Sequence, residues 1–285
     1  MHLSIQHRTV YRYAEPALRV TQALRLWPAA CTGQRVIGWQ VDVDGKALPY
    51  ATTDGFGNPV ATHTADGAVD QVRIDVQGHV ETEDLHGVVG GTLERLPVRF
   101  FLFETPLTHV DESIRELAGQ VPPIKDAIER MHRLCNHVRD RLDYVAGETD
   151  SATTAAEALA NGSGVCQDHA HLMAASARVL GFPARYVSGY LCAGVEGAEA
   201  ASHAWAEIHI ADFGWVGFDA ANRICPNEHY VRIACGRDYH DAAPVRGVHR
   251  GGRSETLEVS VSISETPAMP TRGGSPGNRG QSAQQ

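Results

Sequence analysis

Residues 162–181 read GSGVCQDHAHLMAASARVLG, a glycine-rich turn running straight into a helical pattern with Cys166 at the junction. Ser163 is the expected N-cap, which puts Cys166 at the third position of a helix that ends near Leu180. Gly181 stops it and Pro183 lies just beyond. Unpaired N–H groups and the positive end of the helix dipole favour a thiolate there over a thiol. Two further stretches belong with this one. SHAWAEIHI (202–210) offers His203 on a strand, and WVGFDAAN (215–222) offers Asp219. An imidazole that takes the thiol proton, backed by a carboxylate that fixes its tautomer, completes an activated nucleophile.

The spacing around this core predicts its architecture. Ile124, Ile128, Met131, Cys135, Val138 and Leu142 recur at helical intervals and form one apolar face. Pro122-Pro123 sits at its start, and acidic residues fall early with basic ones late, as the dipole prefers. Ala, Glu and Leu over 154–160 predict a short helix. Strand-like runs follow: ARYVSGYLC, HAWAEIHI, GWVGFDA, YVRIACG and, near the end, LEVSVSIS. Helices first and strands later define an α+β domain with an antiparallel sheet.

The first 80 residues differ in kind. LSIQHRTVYRY, RVTQALRLW, RVIGWQVDVDG and VDQVRIDVQGHV alternate in period two. Asp44-Gly45, Asp54-Gly55, Gly57-Asn58-Pro59 and Asp66-Gly67 punctuate them as turns. Strands at that spacing predict an N-terminal antiparallel β-sandwich. The looser stretch 81–107 is read as a covering segment. The expected organisation is a β-rich unit and linker over 1–107, a core over 108–266, and a disordered tail over 267–285, which has almost nothing to bury.

Bulk properties narrow the function. The 285 residues carry a formal charge of −9 with 43% hydrophobic and 21% charged residues, which fits a soluble protein and argues against nucleic acid as a partner. No apolar run reaches the roughly 20 residues a membrane helix needs. The first residues lack the apolar region of a signal peptide, so the cytoplasm is the expected compartment. Six scattered cysteines without a C-x-x-C pair read as reduced thiols, with Cys135 as core packing. Asp168 and His169, two and three positions after Cys166, point to other helix faces and suit structural hydrogen bonds. His169 and His171 lack the one-turn spacing of a chelating pair, so no metal is expected. Trp205 faces the same side as His203, either shielding it from water or packing as an ordinary core aromatic. Gly162-Ser163-Gly164 lacks the strand and spacing of a nucleophile elbow.

The ordered pieces YVAGETDSATTAAEALANGSGVCQDHAHLMAASARVLGFPARYVSGYL, SHAWAEI, GWVGFDAAN and GRDYHDAAPVRG resemble the transglutaminase-like superfamily, best in its bacterial branch, in which a small β-rich domain precedes the core. The resemblance spans roughly Val121 to Gly251 firmly, and the β-rich start more loosely. It implies a papain-like α+β core with Cys166 as nucleophile, His203 as general base and acid, and Asp219 as orienter. It further implies an acyl-thioenzyme formed from a peptide or protein amide without any cofactor, resolved by water or by an amine. Tyr144, in LDYVAG, lies where some relatives supply an oxyanion donor or an aromatic pocket wall. One departure stands out. The family usually follows the aspartate with proline, whereas here Ala220-Ala221 follow, which removes a rigid turn and no reacting atom. Two functions remain open on this reading: a thiol-dependent amidase, protease or acyltransferase, and an inactive relative that grips peptides in the same cleft.

Overall fold

The computed structural model describes residues 1–192 and 201–266; the tail expected from 267 onward lies outside the described residues. The chain opens with β1 (His2–Leu24), β2 (Gln34–Val43), β3 (Lys46–Ala47), β4 (Thr52–Thr53), β5 (Pro59–Thr82) and β6 (Val88–Val89). Next come α1 (Glu112–Gly119), α2 (Ala127–Arg141), β7 (Asp143–Tyr144), α3 (Ala155–Asn161), β8 (Ser163–Gly164) and α4 (Cys166–Val179). It closes with β9 (Ala184–Leu191), β10 (Ala201–Ile210), β11 (Gly214–Phe218), β12 (Tyr230–Gly236), α5 (Tyr239–Ala242), β13 (Val245–Gly251) and β14 (Glu255–Glu265). The result is a strand-rich mixed α/β protein with five α-helices among the described residues.

The first sheet has seven strands in the order β13-β1-β5-β2-β3, with β14 also on β1 and β4 on β5. Where the sequence predicts two strands, 3–13 and 19–27, a single 23-residue strand runs through both. Its register shifts between Arg12 and Ala17 and again before Arg19, an irregularity that accommodates Pro16, which has no N–H to donate. The sequence reading also expected a sandwich of two sheets, and the topology is one sheet. Val20 and Leu24 from one end of β1 share an apolar cluster with Val72, Ile74 and Val76 from the other half of the antiparallel β1–β5 pair. The long strands therefore curl, and period-two alternation is the same for one curled sheet as for two.

The LEVSVSIS run, read with the core strands, pairs elsewhere. β14 lies against Leu3–Tyr13 and β13 against Ala17–Leu24, so the end of the chain returns to its beginning. In exchange, β6 from the covering segment joins the core sheet, whose order is β12-β9-β10-β11-β6.

The central helix α4 is buried over nearly its whole length, including its polar residues Asp168, His169, His171, Ser176 and Arg178. It packs Leu172 and Met173 against Ala206 and Ile208 of β10. The predicted face of α2 joins this cluster through Met131, Cys135, Val138 and Leu142, with Leu134 added. The helix starts at Ala127, later than the periodicity suggests. Asp126 is its N-cap and accepts from the N–H groups of Ile128 (2.9 Å) and Glu129 (3.1 Å). A capping box between Thr154 and Glu157 starts α3.

The opposite face of the core sheet is covered by Phe56 and by the segment after β6, where Phe101 meets Trp215 at 5.1 Å and Glu94 meets Arg185 at 3.0 Å. Its outer edge is covered by the first sixty residues. The edge strand β12 pairs with side-chain amides where a further strand would lie. Gln34 Nε2 donates to the carbonyl of Arg232 (2.9 Å), and its Oε1 accepts from the N–H of Arg232 (2.7 Å). Asn58 repeats the pattern on Cys235, at 2.7 and 2.8 Å. Asn58 is wholly buried, so the Gly-Asn-Pro signal is more than a turn.

Candidate active site

The loop before α4 determines where the thiol sits. Gly162 adopts a left-handed conformation (φ 70°) as the C-cap of α3. Two residues of parallel pairing then tie β7 to β8, opposing Asp143 to Ser163 and Tyr144 to Gly164. The N-cap of α4 is Val165, not the expected Ser163, so Cys166 is the first helical residue. Ser163 instead turns its hydroxyl to the Glu148 carboxylate. Asp168 takes over the capping work, with Oδ2 accepting from the N–H of Val165 (2.8 Å) and from the Thr149 hydroxyl (2.7 Å). A β-branched apolar residue at the cap position hides this start from sequence rules that look for Ser, Thr, Asp or Asn. At the first helical position the N–H of Cys166 is still one of the donors without an intrahelical partner.

Cys166 is half-buried, whereas His203 and Asp219 are buried. The three come from α4, β10 and the turn after β11. His203 Nε2 lies 2.6 Å from Asp219 Oδ2, and Cys166 is near enough to the same ring to help raise its pKa. With Nε2 committed to the carboxylate, Nδ1 is the nitrogen left for sulfur. Burial by itself would lower the His203 pKa. The Asp219 charge and hydrogen bond, aided by Cys166, outweigh it and raise the imidazole to about 10. Burial likewise opposes ionisation of Asp219, yet the charge of His203 and hydrogen bonds from His203, Tyr230 and Asn222 hold its carboxyl below the ordinary range.

The turn carrying Asp219 keeps its shape without the family's proline. Asp219 and Ile224 exchange backbone hydrogen bonds of 2.8 and 3.2 Å, and Oδ1 accepts from the N–H of Asn222 (3.2 Å). Arg139 of α2 donates to the carbonyl of Ala221 at 3.2 Å. Hydrogen bonding here does what the ring would do by restricting φ.

Tyr144 is half exposed, and its hydroxyl sits beside both the thiol and the backbone N–H of Cys166. Its ring stacks on His169 with centroids 6.0 Å apart. His169 is structural, as expected, with its ring nitrogens facing the carbonyls of Val165 (2.9 Å) and Leu142 (3.2 Å). His171 is fully buried, accepts from the N–H of Tyr239 at 3.0 Å, and is pushed by burial to about 3. Trp205 packs as a core aromatic beside the site. It is buried, its ring lies over His203 (6.5 Å, 26°), and it meets Tyr230 edge-on at 5.4 Å.

Two contributors to the site escape the sequence reading. The Tyr230 hydroxyl donates to Asp219 Oδ2 at 2.7 Å, and Asn222 Nδ2 donates to the same oxygen at 2.7 Å. The amide could have been suspected from Asn222 lying three residues past Asp219 in one turn. Tyr230 opens an ordinary strand and carries no local signal.

Fold and site together define a transglutaminase-like protein, and the chain belongs to that superfamily. The transglutaminase-like superfamily core model matches residues 115–220, which include Cys166, His203 and Asp219, and the bacterial transglutaminase-like N-terminal region matches residues 3–81. An uncharacterized protein of Mycobacterium leprae is 30% identical over 274 residues, covering 92% of this chain and 98% of that one. Uncharacterized proteins of Mycobacterium bovis and Mycobacterium tuberculosis are 27% identical over 291 residues, covering 91% of each chain. The crystal structure of a candidate cysteine protease from Cytophaga hutchinsonii has the same fold. Its TM-score is 0.73 at 23% identity, over 95% of this chain and 93% of that one.

Proposed function

We propose that the protein hydrolyses or transfers the acyl group of peptide-like amides through an acyl-thioenzyme on Cys166. The observation that carries this reading is one imidazole hydrogen-bonded at 2.6 Å to a buried carboxylate, with a thiol at a helix start close enough to help raise the pKa of the same ring. The Cys166 thiolate attacks the carbonyl carbon, and the carbonyl electron pair moves to oxygen. The backbone N–H of Cys166 and the Tyr144 hydroxyl are the donors nearest to that oxyanion; losing one such donor typically costs about 2.7–4 kcal/mol of barrier. His203 passes its proton to the leaving nitrogen as the C–N bond breaks, leaving a thioester. It then accepts a proton from the incoming water or amine, whose attack expels the thiolate. Asp219 holds the ring and stabilises the imidazolium. The chain's own groups supply every proton transfer, so the reaction draws on no cofactor. The partner is an amide of a peptide or protein, not nucleic acid or membrane. The cytoplasm is the proposed compartment, in keeping with six free thiols.

The test is intact-protein mass spectrometry with a thiol-directed electrophile at neutral pH. Cys166 reacts first. Cys135, pushed far up by burial, and Cys225, pushed by burial to about 11, lag behind. Cys166→Ala keeps the fold and loses the label; labelling equal to wild type overturns the proposal.

A further inference from the structure

Asp219 Oδ2 accepts three hydrogen bonds at once, from His203 Nε2 (2.6 Å), the Tyr230 hydroxyl (2.7 Å) and Asn222 Nδ2 (2.7 Å). Three donors on one oxygen compete for the same electron density, so each bond is weaker than it would be alone. Tyr230 is 5% exposed, its ring is fixed edge-on to Trp205, and β12 is pinned by Gln34 and Asn58. The hydroxyl therefore has little freedom to turn elsewhere.

We propose that Tyr230, assisted by Asn222, is a positioning residue that shares Asp219 with His203 and so sets how firmly the imidazolium proton is held. This rests on the amide reading above. Expelling an amine requires His203 to surrender its Nδ1 proton. A carboxylate with no competing donors, bound more tightly at Nε2, would make the ring more basic and that proton harder to give up. Expelling a phenolate requires no proton. Tyr230 thus tunes the site for amides and leaves activated esters largely indifferent to its hydroxyl. The remaining groups around the pair are Cys166 and His169 on α4, Tyr144 on β7, and Cys135 and Arg139 on α2. None of these donates to Oδ2.

The experiment compares wild type, Tyr230→Phe and Cys166→Ala as full chains. Phenylalanine keeps the ring that packs against Trp205 and leaves Asp219 with two donors. Proton NMR at neutral pH reads the low-field resonance of the His203 Nε2–H, identified by its absence in His203→Gln. It moves further downfield in Tyr230→Phe as the His203–Asp219 bond tightens. Acylation of Cys166 by p-nitrophenyl acetate stays near the wild-type rate. Ammonia release from N-acetyl-glutaminyl-glycine amide falls about tenfold, the size of one hydrogen bond to a charged group. A resonance that is unmoved, shifted upfield or lost overturns the inference, as does an equal fall in ester and amide rates, since both describe mere structural support. Asn222→Ala is the second variant, with the same downfield shift expected, should Tyr230→Phe fold poorly. Ester acylation that persists in Cys166→Ala counts against the amidase reading, whereas the resonance tests the role of Tyr230 whatever the substrate.

Discussion

Glu207→Gln probes the buried ionic cluster behind the site. Glu207 is wholly buried on β10, between two guanidinium groups that are also buried. Arg185 Nε donates to Oε2 at 2.5 Å, and Arg232 donates through Nε to Oε1 at 2.8 Å and through Nη2 to Oε2 at 3.3 Å. Burial alone would raise the Glu207 carboxyl, but the two arginines overcome it and hold it at about 2. Glutamine preserves the volume and removes the charge, leaving two buried cations with little compensation. Breaking a buried ion pair by removing one partner costs about 3–5 kcal/mol. Glu94 still meets Arg185 at 3.0 Å, and the Trp215 ring lies 4.1 Å from the same guanidinium, which places the expected loss near the lower end, about 3 kcal/mol. For a chain of this length that lowers Tm by roughly 6–12 °C in calorimetry at pH 7. The pH dependence has a definite sign. A depressed carboxyl stabilises the fold above its unfolded value of 4.5, and that contribution fades as pH falls towards about 2. The gap between wild type and variant is thus full at neutral pH and narrows below 4.5. A variant melting within about 2 °C of wild type at pH 7 would falsify the claim that this carboxylate neutralises the cluster.

Two further expectations concern the sheet edge and the triad. Asn58→Ala strands the buried N–H and carbonyl of Cys235, costing about 2–4 kcal/mol for the two groups; hydrogen exchange at the Cys235 amide should accelerate sharply, and unchanged protection refutes the pairing. His203 is raised from 6.5 to about 10, so its stabilising pairing with Asp219 is fully present below 6.5 and lost as pH rises through about 10. Urea unfolding of wild type and His203→Gln should therefore differ most below 6.5 and converge towards pH 10, and a gap that widens with pH refutes the assignment.

What the sequence discloses divides along the range of the interactions involved. The faces of α2 and α4, the capping box of α3 and the strands carrying His203 and Asp219 are all legible, because each depends on neighbours within a few residues. The order of thiol, imidazole and carboxylate is legible for the same reason, each being held by its own local turn or strand. Pairings between distant segments are not. Nothing in Leu257–Ser264 distinguishes a partner in β1 from one in β12, and nothing in Tyr230 indicates that its hydroxyl reaches a carboxylate eleven residues back. The Ser163 cap fails for a subtler reason: Asp168 caps from inside the helix, which frees Val165 to occupy a position that usually needs a polar side chain.

The interlocking of the two sheets bears on the site itself. Tyr230 begins the strand whose outer edge is held by Gln34 and Asn58, and Arg232, two residues on, anchors the buried cluster through Glu207. Glu207 shares β10 with His203, four residues away, and Trp205 lies between them. The first sixty residues thus fix β12 from one side while the ionic cluster fixes β12 to β10 from within. Those two strands carry the hydroxyl and the imidazole that share Asp219 Oδ2. Hydrogen bonds of 2.6–2.7 Å to one oxygen tolerate little relative movement of their donors. The N-terminal segment is therefore part of the apparatus that keeps the imidazole aimed, and loosening Asn58 should disturb the His203–Asp219 bond before it unfolds the core.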